Sequence, residues 1–235
     1  MIKQKLSLLF IFTISLTIGF SQNTVNQLDN HGKRHGLWTK NFKGTDQVRY
    51  SGRFNHGKEI DTFKFYTLNN GKSVLSALRV FKKDSDIADV RFYTSTGGLI
   101  SKGQMRGKVY VGQWTYFHKN SAAVMIIENF NDEGILEGPK TVYYKNQQKA
   151  EESTYANGKL EGLVSWYGEN GELFKSLTYK QDVLDGPGTY YEPGGDVSSK
   201  GNYKNNKKWG TWIYYKNGKA YKEIDHTTNA VTKLN

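Results

Sequence analysis

A repeat of about 24 residues runs through most of this 235-residue chain. Eight anchor positions define its register: Gly36, Asp61, Ala88, Gly112, Gly138, Gly162, Gly186 and Gly210. The last four anchors are 24 residues apart, and the earlier ones keep the spacing with small slips. A fixed period of this length is typical of repeat proteins, in which each unit packs on its neighbours.

Each unit combines two turn signals with two strand patterns. A Gly, Asp or Asn lies about four residues before each anchor, as in Gly158 and Asp182, and these residues tolerate the positive φ of tight turns. An alternating aromatic run follows the anchor, and a pair such as Asn170–Gly171 or Asn217–Gly218 turns the chain again. The sequence therefore predicts an all-β fold: an elongated single-layer antiparallel sheet of about eight stacked β-hairpin repeats.

Alternation along the aromatic strand sorts side chains onto two faces of the sheet. The first face carries Trp38, Phe63, Val90, Trp114, Val164 and Trp212. The second face carries a column of rings, which is the candidate binding surface: Tyr66, Tyr93, Phe117, Tyr143, Tyr167, Tyr191 and Tyr215. The column either packs against itself and holds the sheet together, or it contacts proteins, lipid headgroups or sugar rings. Residues 73–90 and 118–130 deviate from the repeat, and a deviation of this kind favours a binding site.

Composition excludes several classes of protein. The chain has no Cys, so disulfide frameworks and thiol chemistry are excluded, and its few aliphatic residues argue against a large Rossmann or TIM-type core. It has 33 Lys and Arg against 22 Asp and Glu. This basic excess either keeps an aromatic sheet soluble or attracts an anionic lipid or cell-envelope polymer. No groove-reading motif for nucleic acid appears.

The N-terminus has the layout of a secretory signal peptide. Lys3 and Lys5 precede an apolar run that ends at Phe20, and Gly19 and Ser21 are the small residues of a cleavage site before Gln22. We expect a signal peptide over 1–21, a linker over 22–29, the repeat array over 30–221 and a polar tail over 222–235. The prediction is an exported protein of the periplasm, the cell envelope or the extracellular space.

Two segments carry a family resemblance. Residues 155–162, YANGKLEG, and residues 209–219, WGTWIYYKNGK, resemble MORN repeats, and most closely a bacterial variant class labelled an antitoxin family. The resemblance covers about residues 30–222. It implies an elongated sheet of hairpins without catalytic residues, and binding of partner proteins, dimers through repeat ends and, in some members, acidic lipids.

No catalytic set or cofactor site can be assigned from the residue spacing. His31 and His35 lie in the first turn, where a metal site is the less favoured interpretation. Glu137, Glu161 and Asp185 each precede an anchor and would align as a column, either as solvated turn residues or as ligands of a divalent cation. Because these acids recur with the repeat, they argue against a glycosidase pair.

We therefore expect an exported, non-enzymatic binding scaffold for a protein partner or an envelope component. The alternatives are an antitoxin-type inhibitor of a toxic protein and, less favoured, an enzyme acting on polysaccharide or lipid. Open sheet edges at the first and last units predict end-to-end homodimers or a tail that covers the last edge. The tail over 222–235 either covers that edge or is disordered.

Overall fold

In the computed structural model, residues 24–234 are described and form one open antiparallel sheet of 19 strands, with no helix among these residues. The strands are β1 (Gln27–Leu28), β2 (Arg34–Asn41), β3 (Val48–Asn55), β4 (Lys58–Asn69), β5 (Lys72–Phe81), β6 (Ile87–Tyr93), β7 (Leu99–Arg106), β8 (Val109–Phe117), β9 (Val124–Phe130), β10 (Gly138–Tyr143), β11 (Lys149–Ala156), β12 (Lys159–Leu160), β13 (Gly162–Tyr167), β14 (Leu173–Lys180), β15 (Val183–Tyr191), β16 (Val197–Lys204), β17 (Lys207–Lys216), β18 (Lys219–Asp225) and β19 (Ala230–Lys233). Each strand pairs with the next along the chain, except that the short β12 and β13 both pair with β11, so the predicted sheet of hairpins is confirmed.

The turns take the conformation that their residues favour. Asn157 and Gly158 have φ values of 52° and 78°, and Asn217 and Gly218 have φ values of 50° and 73°. Positive φ at both central residues gives the turn a twist that matches the right-handed twist of the flanking strands. The Asn–Gly pairs of the sequence therefore set where the chain reverses.

The anchor positions mark interruptions of the strand pairing. Between β7 and β8, Lys102 is opposite Thr115 and Gln104 is opposite Val111, so β8 holds two extra residues at this point. The anchor Gly112 lies among them with a φ of 63°. The same interruption recurs in the β3–β4, β14–β15 and β16–β17 pairs. Ala88 is the exception, because it pairs regularly with Phe81.

The core lies on the first face, beside these interruptions. Phe63, Trp114 and Trp212 are fully buried. Each ring lies over a glycine of the preceding strand, namely Gly52, Gly103 and Gly201 respectively, where an added Cβ would come within 2.4–2.5 Å of a ring atom. A large side chain thus fills the space that a missing side chain leaves, which gives a single-layer sheet close packing.

A second irregularity occurs in every hairpin and was not predicted. The register of strand pairing shifts by one residue between Lys40 and Asn41. It shifts in the same way between the two members of each later aromatic or apolar pair, such as Phe92 and Tyr93, because the following strand has a β-bulge there. The extra residues on the following strands are Arg49, Ser76, Ile100, Met125, Ala150, Phe174, Ser198 and Tyr221. Bulges bend a strand and increase its local twist, and these eight lie beside the turns along one edge of the sheet.

Both ends of the described chain take part in the sheet. The segment expected as a linker contains β1, in which Gln27 pairs with His35 of β2. Residues 222–225 belong to β18, and β19 pairs with β18 from Ala230 to Lys233, so most of the segment expected as a polar tail extends the sheet. The predicted signal peptide over 1–21 lies outside the described residues. Within 24–234, no helix has the length and apolarity needed to cross a membrane.

Candidate binding surface on the second face

The structure places the seven rings of the candidate surface at equivalent positions, one in each hairpin from β4 onward. All seven are half-buried, and each lies beside the bulge of its hairpin. Aliphatic side chains alternate with the rings, because the residue opposite the ring is Leu75, Leu99, Val124, Leu173, Val197 or Ala220 in six hairpins. Lys149, opposite Tyr143, is the exception. We call the rings and these six aliphatic residues the apolar strip.

The rings of the column do not stack on one another. Among residues 24–234, no close ring pair joins two members of the column, because an aliphatic strand position separates successive rings. Individual rings have other partners instead. The Tyr167 hydroxyl donates to Glu152 Oε2 at 2.7 Å, and burial together with this bond raises the Tyr167 pKa. Lys102 Nζ lies 5.9 Å from the Phe117 ring centre, and Lys200 Nζ lies 5.5 Å from that of Tyr215.

Ring contacts that stabilise the sheet lie on the first face. The ring centres of Tyr110 and Trp114 are 3.9 Å apart, and those of Tyr203 and Trp212 are 5.1 Å apart. Trp114 Nε1 also donates to the Gln104 carbonyl at 3.0 Å. Aromatic pairs of this kind stabilise a fold beyond the area they bury. The rings of the second face do not take part in these contacts, and they remain half-exposed to solvent.

The apolar strip deepens into a cleft between two neighbouring hairpin turns. The cleft has a volume of about 690 Å³, and it lies between the β6–β7 turn and the β8–β9 turn. Its apolar walls are Leu99, Ile100, Phe117, Ala122 and Met125, and its rim is Thr94, Gly98, Lys119, Asn120 and Ser121. Hereafter this is the turn cleft. Its size falls in the range of natural binding pockets, about 300–1,000 Å³.

Two bulges create the walls of the turn cleft. Ile100 and Met125 are the extra residues of the β6–β7 and β8–β9 pairs, and Ile100 is 44% exposed. An extra residue in a bulge has no partner across the ladder, so its side chain is re-aimed out of the regular row. Adjacent bulges with apolar residues thus form a shared apolar wall.

Hydrogen bonds stabilise the two turns that flank the cleft. Thr94 Oγ1 accepts from the Gly98 amide at 2.9 Å, and Ser121 Oγ accepts from the Ala123 amide at 3.0 Å. The His118 ring is tied to the next hairpin, because its Nε2 lies 2.9 Å from the Tyr143 carbonyl oxygen. A cleft with bonded walls loses little conformational entropy when it is filled.

Sequence reasoning located only one side of the turn cleft. Phe117 was a member of the candidate surface, and Met125 lies in the segment 118–130 that deviates from the repeat. Leu99 and Ile100 were missed. The available signal was the consecutive pair of aliphatic residues, which breaks the alternation of a half-exposed strand.

The acidic residues before the anchors connect neighbouring hairpins. Glu137 Oε2 accepts from the Asn157 amide at 2.8 Å, and Glu161 Oε2 accepts from the Gln181 amide at 2.9 Å. Both acceptors thus hold turn residues of the following unit. Within the described part of the chain, no group of three or more His, Asp or Glu side chains is placed to hold a metal ion. The geometry thus gives Glu137 and Glu161 a structural role as acceptors of turn amides, which the sequence did not predict.

The histidines of the first turns contact an aspartate. His56 Nδ1 lies 2.6 Å from Asp29 Oδ2, and the ring centres of His35 and His56 are 4.8 Å apart. Asp29 Oδ1 accepts from the amides of His31 and Lys33, both at 2.9 Å. The hydrogen bond to His56, followed by the bond from the Lys33 amide, lowers the Asp29 pKa to about 2. These contacts fasten the first turn to the next hairpin.

A comparison with protein-family models finds no match to this chain. A search of curated proteins also finds no match. The similarity to MORN repeats consequently stays a resemblance of sequence pattern, and the apolar strip and its cleft carry the functional argument.

Proposed function

We propose that this protein is an exported, non-enzymatic scaffold that binds a protein partner through the apolar strip. The observation that carries the proposal is the turn cleft, where apolar walls from two adjacent hairpins open to solvent on the second face. Aromatic or aliphatic side chains that fill such pockets dominate the energetics of protein interfaces. An apolar side chain of the partner would therefore anchor in the cleft.

The extent of the apolar strip supports a protein ligand. Its rings occur in every hairpin from β4 to β18, and interstrand spacing gives a length of about 60 Å along the sheet. A small molecule would cover only the cleft. A partner that also lies along the strip can bury the area of about 800 Å² per side that a stable interface needs.

Crosslinking tests where the partner binds. A photoreactive amino acid replaces Ile100 in the chain expressed in its native host, and the control carries it at Lys43, an exposed position in the turn between β2 and β3. We expect a discrete protein adduct from position 100 and none from position 43. Equal adduct patterns at the two positions would contradict a specific interface at the cleft.

A matched pair of substitutions then tests the cleft with the captured partner. Ile100 and Phe174 are both extra residues of bulges, and they are 44% and 45% exposed, but only Ile100 lines the cleft. We expect Ile100→Glu to weaken binding at least tenfold, because it places a charge in an apolar pocket, and Phe174→Glu to weaken it less than threefold. Equal effects would show that the cleft is not the anchor.

Export is tested separately, by fractionation of the host and mass spectrometry of the N-terminus. A mature start at Gln22 outside the cytoplasm is the expected result. An intact Met1 in the cytosol would overturn export and favour the antitoxin-type alternative. Neither result alters the test of the cleft.

A further inference from the structure

We propose a second binding site, for a tetrahedral oxyanion such as sulfate or phosphate, on the first face of the last hairpins. Its residues are Lys208, Tyr214, Lys222 and His226, which we call the C-terminal cationic cluster. The site lies on the face opposite the apolar strip, and the inference does not depend on the proposed protein partner.

The side chains of Lys208, Lys222 and His226 converge on Tyr214. Lys208 Nζ donates to the Tyr214 hydroxyl at 3.2 Å, and His226 Nε2 lies 3.5 Å from the same oxygen. Lys222 Nζ lies 4.7 Å from the centre of the Tyr214 ring. Lys208 Nζ also lies 3.9 Å from the centre of the buried Trp212 ring, and this cation–π contact positions the ammonium group. Two ammonium groups, an imidazole and a hydroxyl thus share one small region.

No carboxylate neutralises the cluster. Residues 197–234 contain eight lysines and only two acidic residues, Glu223 and Asp225. Those two acids are opposite Ile213 and Thr211, whereas Lys222 and Ile224 alternate with them onto the first face with Tyr214 and Trp212. Asp225 Oδ1 instead accepts from the amides of Thr227 and Thr228. All ion pairs within the described chain involve residues 29–152, so none reaches the cluster.

The equivalent positions of the preceding unit carry no cation. By strand register they hold Leu184, Tyr190, Ser199 and Tyr203 in place of Lys208, Tyr214, Lys222 and His226. In that unit the tyrosine hydroxyls of Tyr190 and Tyr203 bond to each other at 2.9 Å. The last unit therefore differs from the one before it, because it carries two lysines and a histidine where that unit carries Leu184, Ser199 and Tyr203.

The donor chemistry points to an anion with several oxygens. Each ammonium has three donors and no acceptor, and Lys208 directs only one of them to a described side chain. All four side chains are half-buried, so both ammonium groups are partly removed from water. Sulfate or phosphate accepts charge-assisted hydrogen bonds from several directions and offsets this cost. The anion is either free in solution or an ester group on an acidic polysaccharide.

The test uses the purified protein with dextran sulfate, neutral dextran, sodium sulfate and sodium phosphate. Lys208→Gln with Lys222→Gln removes the cluster's ammonium groups, and Lys64→Gln with Lys72→Gln removes the same charge from exposed strand positions elsewhere. We expect dextran sulfate to bind, neutral dextran not to bind, and the cluster variant to bind dextran sulfate at least tenfold more weakly. The Lys64 and Lys72 variant should lose less than twofold. Equal losses in both variants would show a diffuse charge effect and overturn the site.

A local signal distinguishes the two sources of the anion. The ring resonances of His226 should shift when sodium sulfate or sodium phosphate is added to the wild-type protein, and should not shift in the cluster variant. Saturation at millimolar salt with no tighter binding of dextran sulfate assigns the site to a free anion, whereas much tighter binding of dextran sulfate assigns it to an ester on a polymer. An unchanged His226 spectrum with every anion would overturn the proposal, and circular dichroism checks that both variants are folded.

Discussion

Trp114 lies directly over Gly103 of the neighbouring strand, and a Cβ at Gly103 would come within 2.4 Å of the indole Cδ2. Trp114 can thus be buried at this place only because Gly103 has no side chain. The indole Nε1 fixes this arrangement, because it donates to the carbonyl of Gln104, the next residue.

We expect Gly103→Ala to lower the free energy of unfolding by about 1–3 kcal/mol, because the added methyl group overpacks the site. In a Trp114→Val background the same change should cost below about 0.5 kcal/mol, since a valine removes the clashing ring. Ser153 and Val164 occupy the positions equivalent to Gly103 and Trp114 in another hairpin, and both are buried there, so the fold accepts such a pair. Urea denaturation of the four proteins gives the coupling. Equal costs in the two backgrounds would contradict the steric relationship.

Two tryptophans of one strand should differ in their contribution to stability. Trp212 is fully buried over Gly201, whereas Trp209 is 49% exposed. Trp212→Ala should cost about 3–5 kcal/mol, the usual cost of truncating a buried aromatic residue. Trp209→Ala should cost below about 0.5 kcal/mol, as most exposed substitutions do. Thermal unfolding of both variants measures this difference. Similar decreases in Tm would contradict the prediction.

Asp182 should stabilise the contact between two neighbouring hairpins. Its φ is 70°, and its Oδ1 accepts from the Leu160 amide at 2.7 Å. Asn206 makes the same bond to the Leu184 amide at 2.8 Å one unit later. Asp182→Ala should cost about 1–3 kcal/mol, because it removes the acceptor and leaves a residue less tolerant of positive φ. Asp182→Asn keeps both properties and should be close to wild type in chemical denaturation.

The contribution of Asp29 in the first turn to the stability of the fold should depend on pH. Because the Asp29 pKa is lowered from 3.8 to about 2, its contribution to stability is present above pH 4. That contribution is lost as the pH falls from about 4 to about 2, where the carboxylate becomes protonated. A carbonyl-detected NMR titration of Asp29 should give a midpoint near 2. His56→Gln should move the midpoint upward, and an unchanged midpoint would show that His56 is not the main cause.

Much of the fold could be predicted because the repeat places the same turn chemistry at regular intervals. Gly158 and Gly218 have the expected positive φ, and Phe63, Trp114 and Trp212 share one face of the sheet, as the alternation predicts. The bulges could not be predicted, because nothing in an alternating run shows that one strand contributes two residues where its partner contributes one. The sequence therefore does not mark Ile100 and Met125 as the extra residues of their strands.

The candidate sites required the pairing between distant residues. Leu99 and Met125 come together only because β7 and β9 flank β8, and Lys208 and Lys222 meet at Tyr214 only through the register of β16, β17 and β18. The acids before the anchors likewise acquired their partners, the amides of the next turns, from stacking.

Local chemistry in the sequence determined where this chain turns, which residues share a face of each strand, and that its units stack into one sheet, because turn preference and alternation act within a few residues. Tertiary structure alone decided the register of the bulges, the fit of Trp114 over Gly103, the turn cleft and the cationic cluster. The physical reason is that these features depend on which residues of separate strands lie opposite one another, and the pairing energies of whole strands set that relationship.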